Sequence, residues 1–256
     1  MTSWSSLYLP CADNVVETLK DALKALGYQL YDPFGLIPGK AYPQAVRLFV
    51  APAREGWTRI IGEPDADLLA PLSQIAPCLQ IQLDGPNATI AAYENGSSVA
   101  PSEAFAAYIS QPDCIQQALD LAVVSKNDTL GAVALDMLPG DVQNLAQKVD
   151  LKQAGKMFNR LSGNLAPKSG GDASANDLLR QPEWNSLSGA RIAALMNCLR
   201  VANWRDPDFV TLRDAYALSE RRRRSPKATL YPGDAETMAA VPDALSYTPV
   251  YAGKAL

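Results

Sequence analysis

The sequence of 256 residues contains no histidine. Histidine is the side chain whose charge most readily changes near neutral pH, and it is the most frequent metal ligand in proteins. Its absence excludes Ser-His-Asp and Cys-His catalysis and zinc sites that depend on imidazole. No other motif takes the place of these groups, so the residues alone do not identify a reaction.

Cysteine is also scarce, with Cys11, Cys78, Cys114 and Cys198 far apart and no Cys-x-x-Cys pair. A secreted disulfide scaffold is much richer in cysteine. We therefore expect four reduced thiols in a cytoplasmic protein. Cys11 and Cys114 lie near predicted helix starts, where the pKa of a thiol can be lowered. Without histidine as a partner base, we expect these thiols to be buried and inert rather than catalytic.

Long apolar runs, a signal peptide and a basic charge excess are missing as well. The residues after Met1 lack the basic and apolar parts of a secretory signal, and no run is long enough for a membrane helix. The net charge of −4 argues against a nucleic-acid partner, because proteins that bind nucleic acids usually have a basic face. Gly39-Lys40 and the stretch 168–172 do not match a P-loop, and we expect no cofactor.

The first hundred residues alternate between helical and strand patterns. Val15, Leu19, Leu23 and Leu26 recur at helical spacing, and residues 79–83 alternate strictly between apolar and polar side chains. The order strand, helix, strand, strand, helix, strand, strand predicts an α+β fold. It consists of an N-terminal antiparallel sheet with two helices, in a ferredoxin-like βαββαβ arrangement with an extra strand, followed by a mostly helical C-terminal region.

Three regions follow from these patterns. Residues 1–100 form the sheet domain, residues 101–224 form the helical region, and residues 225–256 form an extended, proline-rich tail that packs on the body. Helices are predicted over 111–123, 127–138, 141–161, 188–200 and 208–223 from the spacing of their apolar residues. Residues 163–175 have the composition of a linker.

Two pairs of aspartates share the pattern Asp-x-Asp: Asp65 with Asp67, and Asp206 with Asp208. Paired carboxylates can hold Mg²⁺ through oxygen ligands. Both pairs also lie where a helix is predicted to begin, and aspartate is a common cap for the first backbone N–H groups of a helix. Capping is the more common use of aspartate at such a position.

Four consecutive arginines, Arg221, Arg222, Arg223 and Arg224, end the last predicted helix. Arginine clusters bind phosphates and carboxylates, so this run is a candidate anion site. Cations are also favoured at a helix C-terminus by the macrodipole, which gives the run a purely structural role. Trp57, Trp184 and Trp204 are candidate interface residues if exposed, and core anchors if buried.

From these features we expect a non-enzymatic, soluble, cytoplasmic protein that acts as an interaction, scaffold or regulatory protein. Its partner would be another protein or a second copy of the chain, with no membrane contact. One alternative is a histidine-independent enzyme that uses carboxylate, lysine or tyrosine groups, with or without Mg²⁺. Another is an anion-binding module that uses Arg221–Arg224.

Overall fold

Eight strands form one antiparallel sheet in the computed structural model, which describes residues 3–10, 13–35, 42–64, 66–109, 111, 113–121, 182–227 and 229–254. In chain order they are β1 (Trp4–Leu9), β2 (Gln29–Leu30), β3 (Gln44–Val50), β4 (Thr58–Gly62), β5 (Cys78–Asp84), β6 (Asn87–Glu94), β7 (Ser97–Val99) and β8 (Thr248–Lys254). Across the sheet the order is β2-β8-β3-β4-β1-β5-β6-β7.

Helices accompany this sheet, and the fold is α+β as predicted. Within the described residues they are α1 (Val15–Ala25), α2 (Leu69–Ser73), α3 (Pro101–Ala104), α4 (Cys114–Leu119), α5 (Leu187–Cys198), α6 (Phe209–Arg224) and α7 (Asp234–Ala240). All described residues belong to one unit, made of residues 1–121 and 177–256. The described residues do not include the predicted helices over 127–138 and 141–161, the linker 163–175, Cys11 or Asp65.

The predicted apolar stripe of α1 is confirmed. Val15, Leu19 and Leu23 are all at most 2% exposed, because their spacing places them on one side of the helix. Gly27 has φ +82°, the left-handed conformation that ends a helix. Asn14 occupies the N-cap position, but its side chain makes no capping hydrogen bond.

Two hairpins are also confirmed, and their turns explain why. Glu55 and Gly56 have φ of 51° and 81° between β3 and β4, and Asn95 and Gly96 have φ of 50° and 80° between β6 and β7. Two consecutive residues with positive φ give the turn whose twist matches the flanking strands. These local signals set the register of both strand pairs.

One side of the sheet, which we call the aliphatic face, packs against α1 and α2. Strand residues alternate, so Leu7 and its partner Ile60 point to this side while Tyr8 and its partner Arg59 point to the other. The buried strand side chains on the aliphatic face are mostly hydrocarbon, with the thiol of Cys78 and the hydroxyls of Ser5 and Thr58 among them: Leu7, Leu9, Val46, Leu48, Val50, Ile60, Val250 and Ala252.

The opposite side, which we call the cleft face, is covered by helices from the C-terminal half. The buried residues of α4 and α5 pack against β5 through Leu79, Ile81 and Leu83. The buried residues of α6 pack against Phe49 of β3 and Tyr251 of β8. Two separate apolar clusters therefore lie on this face, one on each side of Arg59.

The residues predicted as an extended tail contain a helix and a strand of the sheet. Residues 234–240 form α7, and β8 is an internal strand of the sheet, paired with β3 on one side and β2 on the other. Pairing runs from Gln44 with Lys254 to Val50 with Thr248, a separation of about 200 residues. Composition favoured an extended tail, but such a distant strand pairing leaves no local signal.

The prediction of four reduced thiols is wrong for Cys114 and Cys198, which form a disulfide between α4 and α5 with a Cα–Cα distance of 6.0 Å. The two residues are 84 positions apart, so their spacing gave no indication of the pairing. Cys78 is a free thiol, and burial raises its pKa to about 12. It therefore stays protonated and unreactive at neutral pH.

Candidate functional site

Arg59 is a buried cation in the middle of the cleft face, only 7% exposed. Its Nε donates to Ser6 Oγ at 3.0 Å, and its two terminal nitrogens donate at 3.0 Å to the backbone carbonyls of Arg205 and Asp206. No carboxylate of the described residues pairs with it. Its charge is stabilised by carbonyl dipoles instead, which fixes the position of those carbonyls.

The loop 203–208, which joins α5 to α6, receives further hydrogen bonds from β1. Trp4 Nε1 donates to the carbonyl of Arg205 at 3.1 Å, and the Tyr8 hydroxyl donates to the carbonyl of Trp204. Burial raises the pKa of Tyr8, so its hydroxyl keeps the proton that it donates. Side chains of β1 and β4 thus hold the backbone of this loop against the sheet.

Two clefts flank the loop 203–208. The first, the tryptophan cleft, has a volume of about 400 Å³ and is lined by Ser3, Trp4, Ser5, Gly62, Glu63, Pro182, Trp184, Arg205, Asp206, Asp208, Phe209 and Val210. The second, the tyrosine cleft, has about 570 Å³ and includes Arg54, Thr211, Ala240, Asp243 and Tyr247 in its lining. Arg205, Asp206 and Asp208 line both clefts.

Three tryptophans pack together beside the loop 203–208: Trp4 and Trp184 line the tryptophan cleft, and Trp204 lines the tyrosine cleft. Ring centroids are 5.0 Å apart for Trp4 and Trp184, 5.5 Å for Trp184 and Trp204, and 6.2 Å for Trp4 and Trp204. The guanidinium carbon of Arg205 lies 4.5 Å from the ring centroid of Trp184. The structure thus brings together two of the three predicted interface residues, while Trp57 is 8% exposed and packs on Phe105.

Local features of α5 position the half-buried ring of Trp184. The Ser186 side chain caps the helix by accepting from the backbone N–H of Gly189 at 3.1 Å. Gly189 is buried against the backbone of Trp184, where an added Cβ would collide with the Trp184 carbonyl. Glycine therefore allows the turn that carries the tryptophan to pack tightly on the first turn of the helix.

The charged side chains of the tyrosine cleft differ in how they are paired. Arg54 forms an ion pair of 2.6 Å with Asp243 at the surface. The carboxylate of Asp206 accepts no hydrogen bond from the described residues, although its backbone carbonyl is bound by Arg59. Burial, and then the charge of Asp243, raise the pKa of Tyr247, so this phenol stays neutral at physiological pH.

The pair Asp206 and Asp208 does not form a shared ligand set. One carboxylate oxygen of Asp208 accepts from the backbone N–H groups of Val210 and Thr211 at 2.9 and 3.0 Å, and the other accepts from the Thr211 hydroxyl at 2.7 Å. Asp208 is thus the N-cap of α6. Asp67 lies in the turn Ala66–Leu68, and the described residues contain no cluster of acidic or cysteine side chains suited to a metal.

The arginine run occupies the last turn of α6, and two of its members bind Glu220. Arg223 donates twice to this carboxylate, at 2.8 and 2.7 Å, and Arg224 donates once, at 2.8 Å. These hydrogen bonds, led by those from Arg223, lower the pKa of Glu220. Arg221 instead donates to the carbonyl of Thr229 at 3.1 Å and lies 5.6 Å from the Tyr231 ring centroid.

Arg59 was not predicted from the sequence as a site residue, although one signal for it was available. Arg59 is the one charged residue in the strand pattern Trp57-Thr58-Arg59-Ile60-Ile61. A charge within such an apolar strand is buried only when polar groups surround it. The identity of those groups could not be read, because they lie about 145 positions further along the chain.

Comparison with protein-family models, with curated proteins and with solved structures gives no match. Within the described residues, no helix has the length and apolar character needed to span a bilayer. Function therefore has to be argued from the clefts themselves.

Proposed function

We propose that this protein acts through contacts, as an interaction or regulatory protein, and that a segment of a partner protein occupies the clefts beside the loop 203–208. The observation that carries the proposal is the pair of clefts, of about 400 and 570 Å³, that share Arg205 and Asp206. Both volumes fall in the range of about 300–1,000 Å³ that is typical of ligand sites.

Preorganisation supports binding at this place. The carbonyls of residues 204–206 are fixed by Arg59, Trp4 and Tyr8, so the loop does not have to be ordered when a partner arrives. A preformed surface avoids the entropy cost of ordering a loop during association. Half-buried Trp184 and exposed Val210 add the aromatic and aliphatic surface that is typical of an interface centre.

The polar groups of the clefts support binding more than catalysis. Asp208 is occupied as a helix cap, and Asp243 is paired with Arg54. Tyr247 remains protonated at neutral pH, so it does not serve as a base there.

Two finer features of the fold and location belong with this proposal. We infer that β1, α1, β3, β4, α2 and β5 form a ferredoxin-like unit, supported by the strand order β3-β4-β1-β5 and by both helices lying on the aliphatic face. A cytoplasmic location stays a prediction. The disulfide Cys114–Cys198 argues instead for an oxidising compartment, where such bonds persist.

Panning a random peptide display library against the purified full chain tests the proposal. Enriched peptides are then titrated against variants that fill one cleft each, Val210→Phe and Ala240→Phe. Leu230→Phe is the matched control, since Leu230 and Val210 are both 40% exposed and Leu230 lines neither cleft. We expect at least one filling variant to weaken binding about tenfold or more, equivalent to about 1.4 kcal/mol. Peptides that bind all three variants equally, or no enrichment, would contradict the proposal.

A further inference from the structure

The tryptophan cleft already contains a cation supplied by the chain itself. The guanidinium of Arg205 stacks on Trp184 at 4.5 Å, and the described residues offer its side chain no hydrogen bond or ion pair. Arg205 is exposed. An exposed cation–π contact contributes only about 0.5–1 kcal/mol, so this side chain is easily displaced.

Negative charge in the same cleft exceeds positive charge. Glu63, Asp206 and Asp208 line it with Arg205 as the cation among the described lining residues. Asp208 is used as a cap. Among the described residues, nothing donates to the carboxylate of Asp206, and Glu63 accepts one hydrogen bond, from the Ser3 hydroxyl at 2.8 Å. Two carboxylates with no ion-pair partner in the described part of the chain therefore lie beside an aromatic ring that attracts cations.

We propose that the tryptophan cleft binds the guanidinium of an arginine side chain, and that Arg205 is a built-in competitor for the same ring. The inference rests on the proposed function in one respect, namely that the arginine belongs to the partner's segment. A planar guanidinium can stack on Trp184 as Arg205 does, and its fork of N–H groups matches a carboxylate such as that of Asp206. A lysine ammonium has neither the plane nor the fork, so it binds more weakly.

The test is a titration of the full chain with N-acetylarginine amide, followed through the tryptophan indole N–H signals in NMR spectra. N-acetylcitrulline amide is the matched probe, because it has almost the same shape without the charge. We expect saturable shifts of the Trp184 signal with arginine, with a Kd at or below about 10 mM, and at least tenfold weaker binding of citrulline. Equal binding of the two probes, or no saturable shift with arginine, would overturn the inference.

Two variants separate the roles of the neighbouring charges. Arg205→Gln removes the competitor, so arginine amide should bind about two- to fivefold more tightly, as expected for loss of a weak cation–π contact. Asp206→Asn should weaken binding several-fold. Arg221→Gln is the control, since Arg221 also stacks on an aromatic ring, that of Tyr231, but lies outside both clefts.

Each outcome decides one part of the inference. Weaker arginine binding in Arg205→Gln would show that Arg205 helps to hold the ligand, and unchanged binding would show that it does not compete. Either result overturns the competitor role. Library peptides that bind at the clefts without an arginine would overturn the ligand class while leaving the proposed function in place. Unchanged dispersion of the backbone amide signals serves to confirm that each variant is folded.

Discussion

The two faces of the sheet are built from alternate residues of the same strands, yet they have different interiors. On the aliphatic face, Ile60 and Leu7 are completely buried among hydrocarbon side chains. On the cleft face, the next residue, Arg59, is a buried charge surrounded by backbone carbonyls. The aliphatic face therefore stabilises the fold through hydrophobic burial. On the cleft face, burial of the Arg59 charge costs free energy, and the same charge holds the loop 203–208 in place.

This difference teaches where a binding site can arise in a sheet that is covered on both sides. A face made mostly of apolar side chains offers few polar groups that could position a ligand. The cleft face is interrupted at Arg59, so its cover divides into two apolar clusters with the loop 203–208 between them. The clefts lie on either side of this interruption.

Substitutions at neighbouring residues of β4 distinguish most clearly what each face contributes to stability and to binding. Ile60→Ala should lower the free energy of unfolding by about 4 kcal/mol, because it leaves a cavity in a packed aliphatic core. Chemical denaturation measures this loss. Binding of the library-selected peptide to the folded protein should remain within about twofold of wild type, a difference of less than about 0.5 kcal/mol.

Arg59→Met should lower the free energy of unfolding by about 3 kcal/mol, because the carbonyls of Arg205 and Asp206 lose their buried donors. Unlike Ile60→Ala, it should also alter the indole N–H signals of Trp4 and Trp184 in NMR spectra. Arg59→Lys should not restore those signals, since an ammonium lacks the planar fork. Wild-type spectra in Arg59→Met would show that the loop is held by other contacts.

Reduction of the disulfide Cys114–Cys198 tests how much the link between α4 and α5, the helices that cover part of the cleft face, stabilises the protein. Breaking a cross-link between residues 84 positions apart should lower the free energy of unfolding by about 2–4 kcal/mol, mainly by freeing the unfolded chain. The variant with both cysteines changed to alanine should match the reduced protein. The Cys78→Ala variant, changed on the aliphatic face, should keep its sensitivity to reductant. Equal midpoints for oxidised and reduced wild type would rule out a stabilising role for the bond.

The smallest expected effect concerns pH and lies at the end of α6, away from the clefts. The pKa of Glu220 is below its ordinary value of 4.5 because Arg223 and Arg224 bind the carboxylate. Its contribution is therefore complete above about pH 5 and is lost as the pH falls through the lowered pKa. We expect Glu220→Gln to remove less than about 1 kcal/mol at pH 7, since the arginines are partly exposed. A loss that is the same at pH 7 and pH 3 would argue against the ionised pair.

The parts of the fold that the sequence predicted are those set by nearby residues. The stripe of α1, the turns at Glu55-Gly56 and Asn95-Gly96, and the N-cap Asp208 all depend on residues within a few positions of each other. The pairing of β8 with β3 and the bond between Cys114 and Cys198 join distant positions, and no local pattern encodes them.

The candidate site was predictable only in pieces. Trp204, Asp206 and Asp208 lie close together in the sequence, but nothing in it showed that Trp4 and Trp184 would lie beside their loop. The side chain that holds this loop on the sheet is Arg59, about 145 positions away in the sequence. A buried arginine within a strand marks such a place, although its partners become known only in the folded chain.

The most direct test of the central claim compares peptide affinity in Arg59→Met and Ile60→Ala, measured by calorimetry at a temperature where both variants are folded. The two substitutions are adjacent in sequence and both destabilise the chain, so a general loss of stability cannot separate them. We predict that Arg59→Met weakens binding at least tenfold, about 1.4 kcal/mol, while Ile60→Ala leaves it nearly unchanged. Equal affinities in the two variants would contradict the claim that the loop held by Arg59 forms the binding site.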